Sequence, residues 1–203
     1  ELGLPISRSG LVGYGGNDYR YINVDRIFST TAGGSPLEIN RPWLDHPPLL
    51  PLITGGFAYV SGARVFEDAT ARIIRKPMLL IGGLTILLVG ILTYQLAGGG
   101  TALLAMALWA TSPLMTVTSR MIQGENGIIV AFLASLIFLN SYLTKKKKIF
   151  LWLAALTAGI AILFKVSGIA VAVCGAAILL GQENKKMTLK LWEMALFLTV
   201  SLS

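Results

Sequence analysis

From residue 77 onward the chain is a succession of apolar runs separated by short polar breaks, and that pattern leaves few folds open. Runs at 78–97, 101–117, 128–143, 149–164 and 168–180 are followed by the start of a sixth at 189–203. A hydrocarbon core of ~30 Å takes roughly 20 helical residues to cross. Several runs are shorter than that, so their helices are expected to extend into the adjoining loops. Lipid offers no partner to an open strand edge, which makes the spans helical. The fold class expected is therefore an all-α polytopic membrane protein. With 54% hydrophobic and only 13% charged residues, the chain is too poor in charge for an ordinary soluble domain.

Residues 1–76 read differently and form the one long polar region, with eight basic and seven acidic side chains. Glycines and prolines are frequent up to Pro48, favouring turns and short elements. A short helix is expected over 19–30, with Tyr21, Ile22, Val24, Ile27 and Phe28 on one face and Asn17 or Asp18 as its cap. Asp45-His46-Pro47-Pro48 looks like the start of a second helix, since Asp caps and proline is tolerated in a first turn. Residues 49–66 are apolar but broken by Gly55, Gly56, Ser61 and Gly62, and read as an interfacial or tilted helix. A charged segment, 67–76, then ends at Pro77. The division expected is a first loop at 1–76 with short amphipathic helices, followed by transmembrane helices at 77–203. Because the sequence starts at Glu1 and stops inside an apolar run at Ser203, material is expected to be missing at both ends. A preceding helix would then have carried the insertion signal.

Charge sets the sidedness. If the run at 78 enters from one side, alternation puts Lys145 to Lys148, Lys185, Lys186 and Lys190 together on the other. Lysine-rich short loops are normally cytoplasmic, so residues 119–127 and 165–168 face outward or into a lumen. Arg64, Arg72, Arg75 and Lys76 vote the other way, but long loops count less in this rule. Clustered lysines beside apolar runs fit anionic lipid. No basic stripe is interleaved with exposed aromatics, so nucleic acid is not an expected partner. Cys174, the only cysteine, stands in an apolar run; it excludes a disulfide within the chain and reads as a small buried apolar residue.

On this topology Asp18, Asp45, His46, Arg120, Glu125 and Lys165 share one face. Ionisable groups at membrane depth are costly and usually mark sites or pathways. Arg120 and Glu125 are separated by about 140° on a helix and cannot pair across one helical face. Gly124 and Gly127 loosen the helix there and suggest a polar turn. An arginine in such a turn suits a phosphate through charge and a two-pronged hydrogen bond, and Lys165 would be a second cation. Each residue also has a plain reading. Arg120 and Lys165 can snorkel to the interface, His46 can serve a helix start, and Asp18 can be a turn or cap residue. A lone histidine is weak evidence for metal; no ligand pattern is visible, and the cofactor, a divalent cation included, is left open.

The order Asp18-x-Arg20-Tyr21, Asp45-His46-Pro47-Pro48-Leu49, Ser112-Pro113, Ser119-Arg120-(x4)-Glu125 and Gly159-(x5)-Lys165 resembles glycosyltransferase family 39 of the GT-C superfamily. That group includes dolichyl-phosphate-mannose–protein mannosyltransferases and bacterial lipid A aminoarabinose transferases. The resemblance covers about residues 12–170. It implies a GT-C-type bundle with a long outer-face first loop. It also implies inverting transfer of a sugar from a polyprenyl-phosphate donor to a protein, lipid or glycan acceptor. The membrane would be a prokaryotic plasma membrane or the endoplasmic reticulum, with the site on the outer or lumenal face. Asp18 matches the acidic residue of the first loop that serves as base, and Tyr19 stands where a second acid often occurs. Arg20, Tyr21, Asp45 and His46 would position the acceptor or the loop. Arg120, Glu125 and Lys165 match donor-phosphate positions.

Two other classes fit a polytopic chain. A secondary transporter would show paired broken helices and internal pseudosymmetry near mid-membrane, and no repeat is visible in the sequence. A non-catalytic membrane subunit would use the polar region to bind partners.

Overall fold

The computed structural model describes residues 47–64, 68–182 and 187–202. Among them it is helical without a strand: α1 (Leu49–Val60), α2 (Ala71–Ala97), α3 (Gly99–Thr111), α4 (Pro113–Thr118), α5 (Gly124–Lys145), α6 (Lys148–Phe164), α7 (Ile169–Leu180) and α8 (Met187–Leu202). A 3₁₀ turn at Val166–Gly168 joins α6 to α7. Leucines and other apolar side chains such as Leu80, Leu87, Leu103 and Leu108 stand exposed along α2 and α3. So large an unpartnered apolar surface belongs in lipid, and the protein is a helical membrane bundle.

α1 begins directly after Pro48, whose carbonyl accepts from Leu52 N–H at 3.0 Å. Its end is a Schellman motif: Ala63 N–H donates to Ala58 O and Gly62 N–H to Tyr59 O, both at 3.0 Å, with Gly62 at φ +99°. Only glycine takes that conformation without strain. Twelve residues make α1 ~18 Å long, well short of a crossing. Arg64 then lies over the Tyr59 ring at 4.3 Å and donates to Tyr59 O at 2.7 Å, fixing the exit from the helix.

α2 starts at Ala71, about two turns before the expected 78, and runs through Pro77. Proline forfeits the bond that its missing N–H would make one turn back, and it disfavours helix in the residue before it. Pro77 and Met78 are buried against neighbours, and such packing lets a membrane helix carry a proline. Among the described residues, α2 and α5 are the helices long and apolar enough to cross a bilayer unaided, with mean hydropathies of 2.0 and 1.9 over their most apolar stretches. The run expected at 101–117 is two helices, because the extended Ser112 before Pro113 ends α3 and caps α4, its hydroxyl accepting from Met115 N–H. The expected extension into loops occurs at 78–97 and 128–143 and not at 149–164 or 168–180.

Close approach of small residues builds the core. Ala154, Ala155, Ala158 and Ala161 of α6 are fully buried, and α5, α7 and α8 all pack on this helix. A Cβ on Gly159 would lie 2.9 Å from Ser201 O, and one on Gly175 would lie 2.4 Å from the Phe197 ring. Small residues that bring backbones together are how membrane helices associate, because lipid supplies no hydrophobic drive. Interhelical hydrogen bonds add to this: Ser135 Oγ donates to Ala154 O at 2.9 Å and Tyr142 Oη to Glu193 Oε1 at 2.5 Å. Cys174 is half-buried rather than fully buried.

Helix ends sort onto two faces. Gly82 of α2 meets Ser119, and Glu125 meets Lys165, at one end. At the other, Asn140 donates to Gln95 Oε1 at 3.0 Å, Lys190 donates to Leu180 O at 3.2 Å, and the Tyr142–Glu193 hydrogen bond ties the end of α5 to the start of α8. Consecutive helices from α2 onward, with α3 and α4 counted as one run, thus join alternately at these two ends.

Candidate functional site

The site forms where α4, α5 and the end of α6 converge. Two glycines allow it. A Cβ on Gly124 would stand 2.6 Å from Phe164 O, and one on Gly127 only 2.2 Å from the Phe164 ring. The expected loosening of the helix at these glycines is not what they do: Gly124 to Lys145 is continuous helix, and the bare backbone lets its first turn sit against the end of α6. That approach brings Glu125, in the first turn of α5, to Lys165, just past α6, and Lys165 Nζ donates to Glu125 Oε1. An acid in the first turn also suits the helix dipole. The pair is open to solvent, with 41% of the Lys165 side chain and 50% of the Glu125 side chain exposed. An exposed pair of this kind is worth only ~0–1 kcal/mol of stability.

Lys165 is held by its backbone. Its φ of −165° and ψ of 146° are extended, which stops α6, and its carbonyl accepts from Gly168 N–H at 2.8 Å to start the 3₁₀ turn. Gly168 is packed so closely that a Cβ would lie 2.2 Å from Ala161 O, a backbone atom that cannot swing aside. Gly168→Ala is expected to destabilise the bundle by ~1–3 kcal/mol through overpacking. A thermal melt of the purified protein measures this, and an unchanged midpoint would refute the close packing.

Arg120 lies in the turn at 119–123 between α4 and α5, not on a helix, so the angular argument against Arg120 meeting Glu125 does not apply. Its backbone N–H donates to Val117 O at 3.1 Å, while the exposed guanidinium has no partner among the described residues. A guanidinium and an ammonium at one end of the bundle suit an anionic oxygen cluster by charge and hydrogen-bond geometry.

Sequence reasoning passed over Asn126. It is 7% exposed, and its Nδ2 donates to Thr118 O at 2.9 Å and Met121 O at 2.8 Å. Its only sequence signal was a polar side chain at the head of an apolar run. A small cleft adjoins it, lined by Ile81, Thr85, Trp109 and Ser119 among others. Asp18, Arg20, Tyr21, Asp45 and His46 lie outside the described residues. Among the described residues no three histidine, cysteine, aspartate or glutamate side chains gather as a metal site.

No curated protein and no solved structure matches the chain significantly. A family profile does match, over residues 45–203, a span that contains Asp45, His46, Arg120, Glu125 and Lys165. Its members are membrane-embedded glycosyltransferases of the mannosyltransferase kind. The match takes in well over half of the sequence, and the chain belongs to the dolichyl-phosphate-mannose-protein mannosyltransferase family.

Proposed function

We propose that this chain transfers a sugar from a polyprenyl-phosphate carrier to a protein, lipid or glycan acceptor on the outer or lumenal face of its membrane. The observation that carries the proposal is the convergence of Arg120 and the Lys165–Glu125 pair at one end of the bundle, within the matched span. Lys165 and Arg120 neutralise charge on the departing lipid phosphate, an interaction that strengthens as the glycosidic bond breaks. Glu125 holds Lys165 in place before the donor arrives. Asp18 takes the proton from the acceptor hydroxyl as that oxygen attacks the far side of the sugar carbon, inverting its configuration. Arg20, Tyr21, Asp45 and His46 position the acceptor or the loop. A transporter would gather its polar groups near mid-membrane, whereas the Lys165–Glu125 pair sits where two helices end.

The full-length protein in vesicles, offered one sugar on either a polyprenyl phosphate or a nucleotide, separates the possibilities. Transfer from the lipid-linked sugar alone is the expected result. Transfer from the nucleotide sugar in lipid-free buffer would overturn the donor assignment.

A further inference from the structure

We propose that Asn126 is a positioning residue, whose buried carboxamide clamps the turn that carries Arg120 and so sets where the guanidinium stands. The inference rests on the assignment of Arg120 to the donor phosphate. A carboxamide nitrogen has two hydrogens, and both are used here, one on Thr118 O and one on Met121 O. Both partners are carbonyl oxygens, so the –NH₂ side of the amide is the side that must face them. Thr118 is the last residue of α4, and its carbonyl is among those that a helix end leaves without an intrahelical donor. Met121 lies three residues further on, with Arg120 between the two anchored carbonyls.

The clamp also joins two parts of the site. Asn126 is followed by Gly127, whose bare backbone is seated against the Phe164 ring. Lys165 is the next residue after Phe164. Arg120 is thereby tied through Asn126 and the first turn of α5 to the frame that holds Lys165. With the clamp gone, the Arg120 turn keeps its short backbone bonds to Val117 O and Thr118 O but loses its tie to α5. Misplacement of a binding group by about 1 Å can cost ~10² in rate.

The test uses the full-length protein and a polyprenyl-phosphate-linked sugar. Asn126→Ala removes the clamp. Asn126→Asp keeps its shape but turns an acceptor oxygen toward both carbonyls. Each is expected to lower kcat/KM by about tenfold to ~10²-fold, chiefly through the donor KM, and to speed amide exchange at 119–123 while α6 exchanges as before. In an Arg120→Ala background, Asn126→Ala should change kcat/KM by less than about twofold, because the two residues act as one unit. Should Asn126→Ala not accumulate, Asn126→Gln, with both donors on a longer arm, carries the same comparison. An equal fold-loss in both backgrounds, or full activity in folded Asn126→Ala and Asn126→Asp, overturns the clamp. Undiminished transfer by Arg120→Ala alone instead overturns the donor-phosphate assignment beneath it.

Discussion

Asp18→Asn in the full-length protein should lower sugar transfer by ~10²–10⁴-fold at unchanged abundance, the usual worth of a general base. Asparagine keeps the size and most hydrogen bonds of aspartate but cannot accept the acceptor's proton. Transfer measured with a polyprenyl-linked sugar should therefore fall in kcat, with little change in donor KM. Asp45→Asn and His46→Ala should fall less, because groups that orient an acceptor contribute through geometry and not through the proton. The sequence order and its resemblance to a first-loop acid carry this prediction for Asp18. Near-normal transfer at normal abundance would remove Asp18 from the catalytic role.

Lys165→Met should lower kcat/KM by ~10²–10³-fold, the range seen when one preorganised charge-stabilising group is lost. Methionine keeps the apolar stem and deletes the ammonium. Because the Lys165–Glu125 pair is half-exposed, the melting midpoint should hardly move. Lys165→Arg should recover part of the activity, since charge is retained while shape is not. Glu125→Gln should cost much less than Lys165→Met, because it removes only the holder of the cation. Small and equal effects of the two substitutions, in protein that melts normally, would make the pair a surface ion pair and nothing more.

The helical class was legible because apolar runs in lipid allow little else, and helix order followed from the polar breaks. Boundaries were harder where proline was taken as a stop: Pro77 is carried inside α2 by tertiary packing that no local propensity reports. At Ser112-Pro113 the same rule held, since the extended Ser112 divides the run in two. Arg120, Glu125 and Lys165 were visible as charges in apolar surroundings. That Glu125 and Lys165 touch was not, because their contact spans forty residues of chain and depends on Gly124 and Gly127 meeting Phe164. Asn126 was missed for a related reason. Its partners are backbone carbonyls, which leave no trace in side-chain spacing. The Tyr142–Glu193 hydrogen bond joins residues 51 apart and was equally hidden.

α2 has one further consequence. Its 27 residues extend ~40 Å, some ~10 Å beyond a typical hydrocarbon core. Arg72, Arg75 and Lys76 occupy the first two turns, and that excess belongs among the headgroups, on the same end of the bundle as Gly82 and Ser119. Hydrophobic mismatch is relieved by tilt or by local thickening of the bilayer. Since α2 reaches Ser119 through Gly82, a change in its tilt would be felt at the turn that bears Arg120. Bilayer thickness thus becomes a physical variable of the site, and reconstitution in lipids of graded acyl-chain length is the means of varying it.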